Sequence, residues 1–140
     1  LLSYSNFGSD KDGSPAAMHG VVKKLHENYP DMIVDGEMQV NFALNKELRD
    51  TKYPFSRLKG KNVNTLIFPN LNSANMVQKM MLEMGLAETI GPIQMRLNKP
   101  VHILDVESSV RSIVNMTAIA VLDAMVEERI KNGEVSRIGE

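Results

Sequence analysis

Short runs typical of β-strands alternate with helical stretches along this chain, and that alternation restricts the folds open to it. The expected strands cover residues 1–5, 32–41, 63–68 and 100–104. The expected helices cover residues 14–29, 42–48, 76–84 and 109–130, with Ser108 or Ser109 as the cap of the last one. This order predicts an α/β fold with a largely parallel sheet flanked by helices.

The first helix has clear sequence signals at both ends. Ser14 precedes Pro15, so Ser14 is the expected N-cap and Pro15 the first helical residue. Pro30 is expected to end the helix.

The second expected strand carries polar side chains at alternate positions. Asp35, Glu37, Gln39 and Asn41 would share one face of an extended segment. Such a face lies either on a solvated edge strand or on the wall of a polar cleft, and the strand by itself leaves both open. Polar loops also follow the other expected strands, and in parallel sheets ligands bind where the carboxyl ends of strands meet.

Composition excludes several classes of protein. The 140 residues fit one ordinary domain, and 16 basic against 17 acidic residues give a net charge of −1, so no nucleic-acid or membrane partner is expected. The absence of cysteine fits a cytoplasmic location, and no apolar run reaches the roughly 18 residues that a spanning helix needs. Because the chain begins with the strand-like Leu1 and Leu2, we expect it to be a fragment of a larger protein.

Several motifs together resemble one enzyme family. Residues 3–9, 35–39, 61–75 and 90–93 are similar, in order, to motifs of the phosphate acetyl/butyryltransferase family. Residues 55–58, 99–103 and 113–120 most resemble the phosphotransacetylase-like C-terminal domain of bacterial NADP-dependent malic enzymes.

The resemblance implies an isocitrate/isopropylmalate dehydrogenase-like fold of two subdomains, with acyl-CoA bound between them. Residues 1–98 would form most of the second subdomain. Residues 99–140 would supply its last strand and the closing helix, which packs back on a first subdomain absent from this chain.

The resemblance also implies where catalytic residues should stand. Active phosphotransacetylases have a Ser-Arg pair and an Asp at the positions held here by Asp105, Val106 and Ser112. Because all three are replaced, no catalytic residue is predicted in this segment. Arg111 is a cation adjacent to the missing acid, but one residue along a helix is a rotation of roughly 100°, so it cannot simply take over that role.

The expected function is therefore regulation. The segment would sense acetyl-CoA or a related acyl-CoA and mediate homo-oligomer contacts in a malic enzyme that converts malate to pyruvate and CO2. That parent would hold NADP and a divalent metal, Mg or Mn, elsewhere, with no cofactor in this segment. The candidate ligand-binding residues are Ser5, Asn6, Gly8, Ser9, Asp35, Glu37, Gln39, Asn70, Asn75 and Arg111.

Two other functions are left open by the sequence: a working acyltransferase, and an oligomerisation module without a ligand. No metal site is predicted, because Asp35 and Glu37 lack further oxygen ligands. His19 and His26 are expected to be ordinary surface histidines, and His102 a structural residue within a strand.

Overall fold

The computed structural model describes residues 1–95 and 97–135, which form two compact units. The first unit is Leu1–Glu83 and the second begins at Met84. The described helices are α1 (Gly13–Asn28), α2 (Val40–Leu44), α3 (Lys46–Lys52), α4 (Leu71–Glu83) and α5 (Val110–Lys131). None of the helices in these two ranges is long and apolar enough to cross a membrane.

The structure has helices in all four expected regions, with two changes of bounds and one corrected cap. The expected helix over 42–48 is two helices, α2 and α3, separated at Asn45, and α4 begins at Leu71 rather than at residue 76. The N-cap of α1 is Asp12, and Ser14 lies inside the helix, so the prediction for Ser14 was wrong. Asp12 also belongs to the preceding turn, in which its backbone N–H donates to Asp10 Oδ1 at 3.0 Å. In α5 the prediction of Ser109 is confirmed, since its Oγ accepts from the Ser112 backbone N–H at 3.1 Å.

No regular strand is present in the described part of the chain, and the expected segments pair only locally. Leu2 and Met38 form an isolated parallel bridge, with Met38 N donating to Leu1 O at 3.1 Å. On the other side, Leu2 N donates to Ile67 O at 2.8 Å. Pairing of the second segment stops early because α2 begins at Val40, so the full parallel sheet stays a prediction.

The early start of α2 also corrects the expected polar face. Asn41 lies in α2 and is exposed, so it does not continue the alternation of Asp35, Glu37 and Gln39. The extended part of this segment therefore ends before Val40.

A small apolar core holds the first unit together. Its buried members are Leu2, Met38, Ala43 and Leu58. Five partly buried residues pack against them: Phe7, Phe42, Val63, Leu66 and Phe68. Because Met38 is only 1% exposed, the core fixes the backbone on which the neighbouring Glu37 is mounted.

A buried arginine connects α2, α3 and the loop that follows α3. The guanidinium of Arg49 donates to Ala43 O at 3.0 Å and Phe42 O at 3.3 Å, carbonyls near the end of α2 that lack helical partners. It also donates to Leu58 O at 3.1 Å and to Lys61 O. One side chain thereby serves four backbone acceptors.

The second unit is built around α5. His102 lies outside any strand, contrary to prediction, although its side chain is only 4% exposed and lies 4.0 Å from Asp123 of α5. The segment before α5 is held by a turn in which Ser108 N donates to Asp105 O at 3.0 Å rather than by strand pairing.

Candidate functional site

The centre of the candidate site is the buried carboxylate of Glu37. Its side chain is fully buried, and Oε1 accepts from Gly8 N at 2.7 Å and from Ser5 Oγ at 3.4 Å. Oε2 lies 3.1 Å from Nδ1 of His19, whose side chain is 53% exposed. A buried carboxylate needs such donors, and here they bind it to the 5–9 loop and to α1.

Asp35 contacts a different part of the chain. Its Oδ2 accepts from Ser56 Oγ at 2.7 Å and from the backbone N–H of Arg57 at 2.8 Å, while Oδ1 accepts from Gly36 N at 3.0 Å. Asp35 is 7% exposed. The solvated edge strand is therefore wrong, because both carboxylates are buried and hold loops in place.

The 5–9 loop is closed by its own hydroxyl and amide groups. Ser5 Oγ lies 2.8 Å from Ser9 Oγ and accepts from Asp10 N at 3.0 Å. Asn6 N donates to Ser9 Oγ at 3.2 Å, and Asn6 Oδ1 accepts from Gln39 N at 2.9 Å. The loop is thus tied to the segment that carries Glu37.

Tyr4 makes hydrogen bonds at the exposed side of the 5–9 loop. Its hydroxyl donates to Asp10 Oδ2 at 2.9 Å, and this hydrogen bond raises the pKa of Tyr4 above its ordinary value. The pKa of Asp10 is lowered, first by the backbone N–H of Asp12 and then by Tyr4. The Tyr4 carbonyl also accepts from Gln39 Nε2 at 2.7 Å.

Six of the ten sequence-predicted site residues lie in the network around Glu37: Ser5, Asn6, Gly8, Ser9, Glu37 and Gln39. Asp35 lies close to them along the chain but has separate contacts with Ser56 and Arg57. The role of all these residues as ligand contacts stays a prediction, because the contacts above are internal.

The other three lie elsewhere and have other contacts. Asn70 Oδ1 accepts from Ser73 N at 2.9 Å at the start of α4, and Asn75 is exposed on that helix. Arg111 belongs to the second unit, where its guanidinium binds both carboxylate oxygens of Glu88 at 2.7 and 3.0 Å.

The positions of the missing transferase residues are also defined. Val106 is fully exposed in a turn, where a cation would be required. The Ser112 hydroxyl lies 2.9 Å from Ser109 Oγ, so it takes part in the cap of α5. Neither side chain can act as a base or bind phosphate as a cation.

Sequence reasoning missed two partners of the buried acids, His19 and Ser56. They lie 18 and 21 residues from the carboxylates they contact, and no local pattern marks such distant pairs. The second histidine of α1, His26, contacts Val34 O at 2.9 Å. Within residues 1–95 and 97–135, no three acidic or histidine side chains are arranged to hold a metal ion.

Gly36 is placed where a side chain does not fit. Its φ is +139°, and a Cβ would lie 2.6 Å from Leu1 O. We expect Gly36→Ala to lower the free energy of unfolding by about 1–3 kcal/mol from backbone strain alone, with the steric overlap adding to that loss. Urea unfolding would show a lower midpoint with the same slope.

The matched control is Gly20→Ala on α1, where a Cβ meets nothing within 4 Å. There the substitution should raise stability by roughly 0.4–1 kcal/mol. Equal midpoints for the two variants would contradict the steric argument.

Comparison with known proteins identifies similar sequences over most of the chain. The family model described as "Phosphate acetyl/butaryl transferase" matches residues 1–121. The NADP-dependent malic enzyme of Salmonella typhimurium is 41% identical over 126 residues, which are 89% of this chain and 16% of that protein. The phosphate acetyltransferase of Clostridium acetobutylicum is 35% identical over 124 residues, 89% of this chain and 37% of that protein.

The fold is shared by a phosphotransacetylase of known structure. EutD phosphotransacetylase from Staphylococcus aureus superposes with a TM-score of 0.75 at 28% sequence identity, covering 90% of this chain and 38% of that one. The chain thus spans about a sixth of the malic enzyme and little more than a third of either transferase.

Proposed function

Because the chain belongs to the phosphate acetyl/butyryltransferase family, we propose that it is a phosphotransacetylase-like regulatory region of a malic enzyme. In this role it binds acetyl-CoA or a related acyl-CoA without transferring the acyl group. The similarity to NADP-dependent malic enzymes supports the proposed parent, in which malate is converted to pyruvate and CO2 with NADP and a divalent metal bound elsewhere. A parallel sheet, homo-oligomer contacts and a cytoplasmic location belong to the same proposal.

The observation that carries the proposal is the chemistry at positions 105, 106 and 112. Acyl transfer to phosphate requires a base for the thiol and cations for the phosphate. Asp105 supplies an anion, Val106 an apolar side chain, and Ser112 a hydroxyl engaged in a helix cap. Loss of one such group commonly costs on the order of 100-fold in rate, so three losses leave binding as the function that the family fold can still perform.

A working transferase is the second candidate, supported by the 35% identity to a phosphate acetyltransferase. Its remaining cation near the expected site is Arg111, and Glu88 already neutralises that guanidinium through a bidentate ion pair. A paired, exposed arginine is a weak replacement for three lost catalytic groups.

The test combines calorimetric titration of the full-length protein with acetyl-CoA and an assay of phosphate-dependent acyl transfer. We expect saturable binding, no transfer, and a change in malate oxidation when acetyl-CoA is added. Transfer by the unaltered protein would overturn the proposal, and absence of binding would leave an oligomerisation module.

A triple variant sharpens this test. Asp105→Ser, Val106→Arg and Ser112→Asp together restore the residue types of active transferases. Transfer that appears only in this variant would show that the three replacements remove catalysis. Arg111→Gln tests the predicted ligand contact of that residue: weaker acetyl-CoA binding would show that the guanidinium reaches the ligand, and unchanged binding would show that it serves its pair with Glu88.

A further inference from the structure

A cluster of four aromatic rings lies beside the 5–9 loop. The rings of Phe7 and Tyr53 are 4.8 Å apart, those of Phe7 and Phe55 are 5.0 Å apart, and those of Phe42 and Tyr53 are 5.0 Å apart. Tyr53 and Phe55 are separated by 5.9 Å. These distances are those of mutually packed aromatic side chains, so the cluster is a fixed unit.

One side of the cluster packs against the apolar core, and the other side is exposed to solvent. Phe7 and Phe42 pack against the core, whereas Phe55 is 68% exposed. Phe7 has φ +49°, a conformation that non-glycine residues seldom adopt and that the surrounding structure must stabilise. The exposed ring of Phe55 is thereby mounted on packed aromatic neighbours and offers one open face for stacking.

The segment that carries two of the rings is basic, and its charge indicates the kind of ligand that would stack on the cluster. Residues 51–64, which include Tyr53 and Phe55, contain four basic side chains and no acidic one. All four basic residues are exposed: Lys52, Arg57, Lys59 and Lys61. The nearest carboxylate along the chain, Asp50, accepts a hydrogen bond from Gly60 N at 2.8 Å. An exposed ring within a basic segment is suited to a flat, anionic ligand.

We infer that the cluster of Phe7, Phe42, Tyr53 and Phe55 is a stacking platform for the base of a phosphate-bearing nucleotide. This inference rests on the proposed function, because the nucleotide expected there is the 3′-phosphoadenosine end of acetyl-CoA. The base stacks on Phe55, and its phosphates lie toward the lysines of residues 51–64. A free nucleotide has the same chemistry, so the experiment separates the two sources.

The experiment measures the affinity of the full-length protein for three compounds by calorimetry: acetyl-CoA, 3′,5′-ADP and acetyl-pantetheine, which lacks the nucleotide. Phe55→Leu should weaken acetyl-CoA and 3′,5′-ADP by roughly tenfold, the effect of losing one stacked base. Acetyl-pantetheine should bind equally to both proteins. Phe55→Tyr should retain the wild-type affinities, because it keeps the ring.

Tyr29→Leu is the matched control, since Tyr29 is a partly exposed aromatic residue of the same unit outside the cluster. Lys52→Gln with Lys59→Gln tests the charges without altering any ring. This pair should weaken the nucleotide compounds and reduce the dependence of their affinity on salt.

The outcomes distinguish this inference from the proposed function. If the unaltered protein fails to bind acetyl-CoA, the proposed function fails, while 3′,5′-ADP still tests the platform. Wild-type affinity of Phe55→Leu for both nucleotide compounds overturns the platform alone. Weakening confined to 3′,5′-ADP overturns acetyl-CoA as the ligand, and a changed oligomeric state with unchanged nucleotide affinity identifies a protein contact instead.

Discussion

Replacing Arg49 with methionine is expected to lower the free energy of unfolding of the protein by about 3 kcal/mol or more, because several carbonyls each lose a donor at a cost of about 1–3 kcal/mol. The guanidinium is fully buried and donates to the carbonyls of Phe42, Ala43, Leu58 and Lys61. Methionine fills a similar volume but donates nothing, so the buried carbonyls of Ala43 and Leu58 and the part-buried ones of Phe42 and Lys61 lose their donor. Urea unfolding followed by circular dichroism measures the loss.

Arg57→Met is the control for that prediction. Arg57 is an exposed arginine in the same unit, and its backbone N–H, which the substitution keeps, donates to Asp35. Its guanidinium loses only one exposed hydrogen bond, to Pro30 O at 3.3 Å. We expect a change within about 0.5 kcal/mol. A loss of similar size for the two variants would mean that burial of Arg49 is not what stabilises this region.

Replacing Glu37 with alanine is expected to cost about 3 kcal/mol or more, because buried donors left without an acceptor cost about 1–3 kcal/mol each. Three donors lose their acceptor: Gly8 N, Ser5 Oγ and His19 Nδ1. The 5–9 loop should then exchange its amide hydrogens faster than α1. Hydrogen exchange measured by mass spectrometry would show this local opening.

Two further variants separate the contributions to this network. Glu37→Gln keeps one oxygen as acceptor and should be clearly less harmful than alanine. His19→Ala should cost no more than about 1 kcal/mol, because that side chain is half exposed and its pair is screened by water. If His19→Ala were as harmful as Glu37→Ala, the loop contacts would not be the main role of Glu37.

The helices were predictable from sequence because their signals are local. Apolar spacing and Ser109 defined α5, and Pro30 marked the end of α1, close to its observed end at Asn28. The family motifs also predicted a phosphotransacetylase fold, and EutD phosphotransacetylase shares the fold of this chain. The parallel sheet stays a prediction: around Met38 the described strand pairing is a single bridge to Leu2, because the chain enters α2 at Val40.

The site was only partly predictable. Alternation correctly identified Asp35 and Glu37 as special, but it assigned them a shared polar face. In the structure each carboxylate is buried against a different neighbour, and those neighbours come from distant parts of the chain. Likewise, nothing local to Phe7 indicates that its ring packs on Tyr53 and Phe55.

The short spacing between the buried carboxylates of Asp35 and Glu37 has a mechanical consequence. Asp35 holds the backbone at Arg57, within the loop that carries Phe55, and Glu37 holds the backbone at Gly8, in the loop that leads to α1. Only Gly36 separates them. Residues 35–37 therefore connect the two loops directly. Neither loop can shift without the other unless a charge-assisted hydrogen bond breaks.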